Sequence, residues 1–247
     1  MVIGSAASDH SAKLGFPAMP FSNHFDAVIF DMDGTLLDTE SVFRTIVFDV
    51  CAELGYEMTD AIQLAMIGSS HEATRNLLLN SFGANFPYLR FDELCHVHMD
   101  RFTSDKPVPL KRGAAELITS LASLSIPIAI ATSSRRAHAQ SHLEAVGIWA
   151  AFDTIVTRDD VTNPKPHPEP YLTAAERLKA LPPNCVAFED SMSGVRAAHA
   201  AGMRTIMVPD LVRPADDVVA LCHAVIESLE LAHHSLGQSR RSATGSQ

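Results

Sequence analysis

The chain has 247 residues, enough for one sizeable domain or for a core carrying a smaller insert. Hydrophobic residues make up 47% of it, which excludes wholesale disorder, and no apolar run approaches membrane-spanning length. The formal net charge of -10 argues against a nucleic-acid polymer or an anionic membrane as partner; an anionic substrate needs a local cation to reverse that field.

Residues 1–24 hold one lysine, Lys13, and no continuous apolar stretch, so they read as a flexible leader rather than a signal peptide. Ala27–Phe30 is a short unbroken apolar run, as expected of a strand covered on both faces. From Thr39 to Lys106 the pattern turns helical. Val42, Phe43, Ile46, Val47, Val50 and Leu54 form one stripe after a cap at Asp38, and Gly55 ends it. Further helical patterns cover His71–Asn80 and Phe91–Thr103. This stretch is too long for a crossover loop, so residues 39–107 are expected to be an inserted helical cap domain. Lys106-Pro107-Val108-Pro109-Leu110 forms its stiff return linker.

Beyond it, apolar runs at Ile126–Ala131, Thr154–Val156, Cys185–Phe188 and Thr205–Val208 alternate with helical patterns at Gly113–Leu124, Ser134–Val146, Pro170–Ala180 and Ser193–Ala201. The alternation predicts an α/β fold, a doubly wound Rossmann-like parallel sheet built from residues 25–38 and 108–236. Residues 237–247 read as a flexible tail. Cys51, Cys95, Cys185 and Cys222 lie far apart with no CxxC pair, which fits reduced thiols in a cytoplasmic protein.

The informative residues end the strands. Asp31-Met32-Asp33-Gly34-Thr35 follows the first run, Thr132-Ser133 the second, Lys165 lies beyond the third, and Glu189-Asp190-Ser191 ends the fourth. Ligands of open α/β sheets bind beyond the carboxyl ends of the strands, so these groups are expected in one crevice. The set suits phosphoryl transfer. Asp31 and Asp190 offer hard oxygens to Mg²⁺, and Asp31 can attack phosphorus to form an aspartyl-phosphate. Asp33, aimed by a turn at Gly34, can serve as general acid and then base. Thr132, the Ser133 N–H and Lys165 can hold the phosphoryl oxygens. Glu189 either orients a metal-bound water or accepts hydrogen bonds behind the metal ligands. Met66–Glu72 is either an ordinary interhelical turn or a cap loop bringing His71 and Glu72 to the leaving group. Receiver-type phosphoacceptor modules also gather acids, Thr and Lys at strand ends. The acid pair on the first strand and the insert over the crevice argue against that reading.

Phe30 through Glu40, Ile130 through Ser134, Lys165 through Pro168, and Phe188 through Ser191 with Gly194, Ala197 and Ala198 together resemble the four motifs of the haloacid dehalogenase superfamily, in order. The resemblance implies a Mg²⁺-dependent phosphatase with a helical cap. In it Asp31 is the nucleophile, Asp33 the acid/base, Thr132 and Lys165 hold phosphate, Asp190 binds metal and the Asp33 carbonyl also reaches Mg²⁺. Dehalogenases of the superfamily lack the second aspartate, and phosphonatases need a cap lysine absent here. The β-phosphoglucomutases carry a histidine and an arginine where Phe43 and His71 stand, which points away from a mutase. Core segments are similar to the pseudouridine-5'-phosphatase branch. The implied substrate is a small phosphorylated metabolite, a sugar phosphate or nucleoside monophosphate, and the implied assembly a monomer or small homo-oligomer.

Overall fold

The computed structural model describes residues 25–67, 71–210 and 212–244, with side chains for all of these except residue 71 and residues 237–244. Expectations for 1–24, 68–70 and 245–247 lie outside the described residues.

Six strands, β1 (Ala27–Phe30), β2 (Ile128–Ala131), β3 (Thr154–Val156), β4 (Cys185–Glu189), β5 (Arg204–Met207) and β6 (Ala224–Val225), form one parallel sheet in the order β3-β2-β1-β4-β5-β6. The chain winds outward from β1 through β2 to β3, then crosses to β4 on the other side of β1. The switch point therefore falls between β1 and β4, where such sheets open a crevice. Phe30 is level with Ile130 and with Phe188, so the strand ends meet at one height.

Side chains alternate between two cores, as the two-residue period of a strand requires. Val28, Phe30, Ile128, Ile130, Val186 and Phe188 face one core, and Ala27, Ile29, Ala129, Ala131, Cys185 and Ala187 the other. The large-residue face is covered by α5 (Ala114–Ser123), α6 (Arg136–Ala145) and α10 (Leu229–Thr244). Small side chains on the opposite face let α7 (Glu169–Arg177) and α8 (Met192–Ala200) approach through Ala174, Ala175, Ala197 and Ala198. The short α9 (Asp216–Val219) packs Val218 on Val195 and Met207.

The insert folds into α1 (Thr39–Glu53), α2 (Asp60–Met66), α3 (His71–Phe82) and α4 (Tyr88–Asp105). Tyr56, Phe82, Phe86 and Phe91 form its aromatic cluster. Its two linkers are paired: Leu37 bridges Leu110, the Asp38 N–H donates to the Pro109 carbonyl at 2.8 Å and the Lys111 N–H to the Leu36 carbonyl at 2.8 Å. All four cysteines are free, three of them buried.

Some local expectations are corrected. The Asp38 side chain makes no cap bond to α1; its Oδ1 lies 3.5 Å from Lys111 Nζ, because the linker pairing turns it toward the core. Helix α2, absent from the sequence reading, is capped by Thr59, whose Oγ1 accepts from the Ile62 N–H at 3.3 Å. The expected tail is helical as far as Thr244, because Leu229, Ala232 and Leu236 dock α10 on the core and the helix continues past Gly237.

Candidate active site

Strand β1 delivers Asp31, 7% exposed, to the switch point. The chain then turns at Gly34 with φ +81, a conformation glycine adopts without steric cost. A Cβ at Gly34 would sit 2.2 Å from Asp190 Oδ2, so the turn is tight enough to lay Asp190 across it. The Thr35 hydroxyl fixes that carboxylate by donating to Oδ1 at 3.2 Å.

Strand β4 ends in Glu189, fully buried, and Asp190. Lys165 reaches in from beyond β3, its side chain 3% exposed, and donates to Asp31 Oδ1 at 2.5 Å and Glu189 Oε1 at 2.5 Å. Glu189 also accepts from the Tyr171 hydroxyl at 2.6 Å, and from the Ser191 N–H and hydroxyl at 3.2 and 3.0 Å. A Cβ at Gly194 would fall 1.8 Å from Glu189 Oε1, so α8 closes directly onto this carboxylate. Both Glu189 oxygens are thus engaged, which suits the sequence alternative of an acceptor behind the metal ligands.

Asp31, Glu189 and Asp190 bring carboxylate oxygens within 4.8 Å of one another. Three carboxylates share one ammonium, so ionising all three would leave two negative charges unmatched. Burial, with the charges of Glu189 and Asp33, pushes Asp31 up to about 8 against the pull of Lys165. Burial beside Asp31 and Glu189 raises Asp190 well above the usual carboxylate range. Burial alone would lower Lys165, but Asp31 and Glu189 outweigh it and the net direction is up. An all-oxygen donor set that leaves two charges unmatched when fully ionised fits a hard divalent cation.

Asp33 stands apart from that cluster. Its Oδ2 accepts from the Ser134 hydroxyl at 2.7 Å and from Thr132 Oγ1 at 3.4 Å, and Thr132 Oγ1 itself accepts from the Ser134 N–H at 2.9 Å. Thr132 is buried, and Ser133 rather than Thr132 lines the pocket. That pocket, about 210 Å³, has Asp31, Asp33, Ser133, Lys165 and Asp190 among its lining, with Glu40 and Asp210 beside them. Burial, followed by the charges of Asp210 and Asp33, raises the Glu40 pKa. The cap contributes Ile67. Glu72 is exposed on α3 and is not brought to the pocket, because the turn expected at 66–72 holds the end of α2 and the start of α3; the His71 side chain lies outside the described residues.

Sequence reasoning gave no role to Thr35, Ser134, Tyr171 or Ser191. Thr35 and Ser191 adjoin quoted acids, so their hydroxyls were a usable signal. Tyr171 carried none, since it lies in an ordinary helical stripe.

A family model described as haloacid dehalogenase-like hydrolase matches residues 28–208. The chain is 34% identical over 183 residues to a phosphorylated carbohydrates phosphatase of Thermotoga maritima, covering 73% of this chain and 83% of that protein. It is 32% identical over 186 residues to the fructose-1-phosphate phosphatase YqaB of Escherichia coli K12, covering 74% and 96%. A solved HAD family hydrolase from Deinococcus radiodurans R1, with bound phosphate and sodium, superposes with a TM-score of 0.75 at 28% identity, over 87% of this chain and 96% of that one.

Proposed function

The chain belongs to the haloacid dehalogenase-like hydrolase family and is a phosphatase, and on that premise we propose that it hydrolyses a small phosphorylated carbohydrate or related monoester with Mg²⁺, through an aspartyl-phosphate on Asp31. The observation that carries this reading is the buried Asp31 carboxylate, gripped on one oxygen by Lys165 and set within the Asp31, Glu189 and Asp190 cluster.

Asp31 and Asp190 would hold Mg²⁺; when bound, the ion offsets the repulsion between carboxylate and phosphoryl oxygens. Lys165 orients Asp31 and with the Ser133 N–H holds the non-bridging oxygens, while buried Thr132 donates to Asp33 and accepts from the Ser134 N–H instead. One oxygen of Asp31 forms a bond to phosphorus as the bond to the alcohol oxygen breaks. Asp33, positioned by Ser134, gives the departing alcohol its proton. The Asp33 carboxylate then takes a proton from water, whose oxygen attacks phosphorus. Phosphate leaves, and the carboxylate of Asp31 is restored.

Release of inorganic phosphate is expected from p-nitrophenyl phosphate and from a panel of sugar phosphates with Mg²⁺ present. Asp31→Asn is expected to lose roughly 10³-fold or more in kcat. No phosphate release across the panel by folded, metal-loaded protein would overturn the reading. Isomerised sugar phosphate without free phosphate would assign a mutase instead.

A further inference from the structure

The charged lining of the active-site pocket is lopsided. Its acids are Asp31, Asp33, Glu40, Asp190 and Asp210, and its cations are Lys165 and Arg213. Lys165 is paired with Asp31 and Glu189 and, in the proposed reaction, serves the transferred phosphoryl group. Asp210 is matched by Lys111 at 2.7 Å. Arg213 has no ion pair or hydrogen bond among the described residues, although the chain offers 29 acids to pair with. We propose that Arg213 selects phosphomonoesters carrying a second anionic group, a carboxylate or further phosphate, remote from the phosphoryl group that is transferred. This deepens the phosphatase reading and rests on it.

An exposed arginine alone is a solvated charge, but this one has a defined setting. It lines the same pocket as the nucleophile, and Val212, Pro214 and Met192 line it too. Met192 and Val212 are exposed until a ligand covers them, and covering them shields a guanidinium–anion pair from water. Pro214 restricts the backbone of Arg213 to extended conformations, so less backbone freedom is lost when this segment engages a ligand. The planar guanidinium fork matches a carboxylate or phosphate through two parallel hydrogen bonds.

The location separates this role from binding of the transferred group. Arg213 follows β5, which lies two strands from β1 in the sheet. Two inter-strand spacings put the end of β5 roughly 10 Å to the side of β1. A substrate that meets both Asp31 and Arg213 carries its second anion several bonds from the phosphorus, as in a phosphorylated three- to five-carbon acid or a bisphosphate.

The test is equilibrium titration of the full chain with Mg²⁺, using ω-phosphonocarboxylates of two to five carbons against alkylphosphonates of equal length. At the best length the carboxylate is expected to tighten binding about tenfold. Arg213→Ala is expected to erase that difference and Arg213→Lys to keep part of it, since a point charge replaces the fork. The kcat/KM ratio between carboxyl-bearing and neutral monoesters should fall in parallel. An unchanged difference in Arg213→Ala overturns the proposal, even when hydrolysis itself proceeds. A carboxylate preference that Arg213→Ala abolishes, in a chain that releases no phosphate, upholds Arg213 and overturns the phosphatase reading.

Discussion

Ser134 decides where the Asp33 carboxylate points, because its hydroxyl donates at 2.7 Å whereas Thr132 stands back at 3.4 Å. Ser134→Ala is expected to lower kcat about tenfold with little change in KM, a positioning loss that Ser134→Thr should partly restore; steady-state kinetics check the split. Gly34 is the corresponding constraint on Asp190. Alanine there would meet both the φ of +81 and a carboxylate oxygen at 2.2 Å, so it is expected to weaken divalent-ion binding by roughly 10–100-fold, read by calorimetric titration. Asp31, Asp33, Lys165 and Asp190 were legible in the sequence because each ends or follows an apolar run, and strand ends share one edge of a parallel sheet. Ser134 was not, since its hydroxyl meets Asp33 only once the backbone after β2 has turned. Tyr171 looked like core packing, and its hydroxyl reaches Glu189 only when α7 lies on the alanine-lined face. Glu72 was open in the sequence between a turn and a cap loop facing the site, because a polar residue near a turn signals exposure at least as strongly as it signals a site.

At the scale of elements, the helices that carry these residues are tied together by Asp160, in the one-turn 3₁₀ segment Arg158–Asp160 after β3. Its carboxylate accepts from the Thr157 N–H and hydroxyl at 2.8 and 2.6 Å, from Arg136 on α6 at 2.6 Å and from Arg177 on α7 at 3.0 Å. Burial alone would raise its pKa, but the Thr157, Arg177 and Arg136 bonds outweigh it and hold the group below the usual carboxylate range. A depressed folded-state pKa means the stabilisation is present above the unfolded value of about 4 and is lost as pH falls through the lower folded value. Asp160→Asn is expected to cost roughly 1–3 kcal/mol in urea unfolding at pH 7, with the gap to wild type narrowing below about pH 4. A pH-independent gap would mean that shape, not charge, links α6 to α7. The strands and helices on either side were readable because apolar runs and 3.6-residue stripes announce them. The two-residue β6 and the four-residue α9 are shorter than any period that a sequence pattern can display.

For the whole molecule the question is whether the cap moves against the sheet. Both linkers leave the core as a paired ribbon, Leu37 against Leu110, so the cap has one shared hinge rather than two independent tethers. Lys111 staples that hinge: its ammonium lies 2.7 Å from Asp210 and 3.5 Å from Asp38, which begins the cap side of the outgoing linker. Asp210 lines the active-site pocket, so the hinge and the pocket wall share a side chain. Closing the cap on a substrate would bend the ribbon about this staple and press Ile67 toward Asp31. Lys111→Met removes the cation and leaves both carboxylates without it, at a cost of about 2–3 kcal/mol, which for a chain of this size lowers Tm by roughly 4–12 °C. If the staple also sets the open–closed balance, KM should rise several-fold with kcat nearly kept. The compaction expected in solution scattering on adding beryllium trifluoride should shrink as well. A variant that loses Tm but keeps both KM and the scattering change would place hinge control in the paired backbone of Leu37 and Leu110 alone.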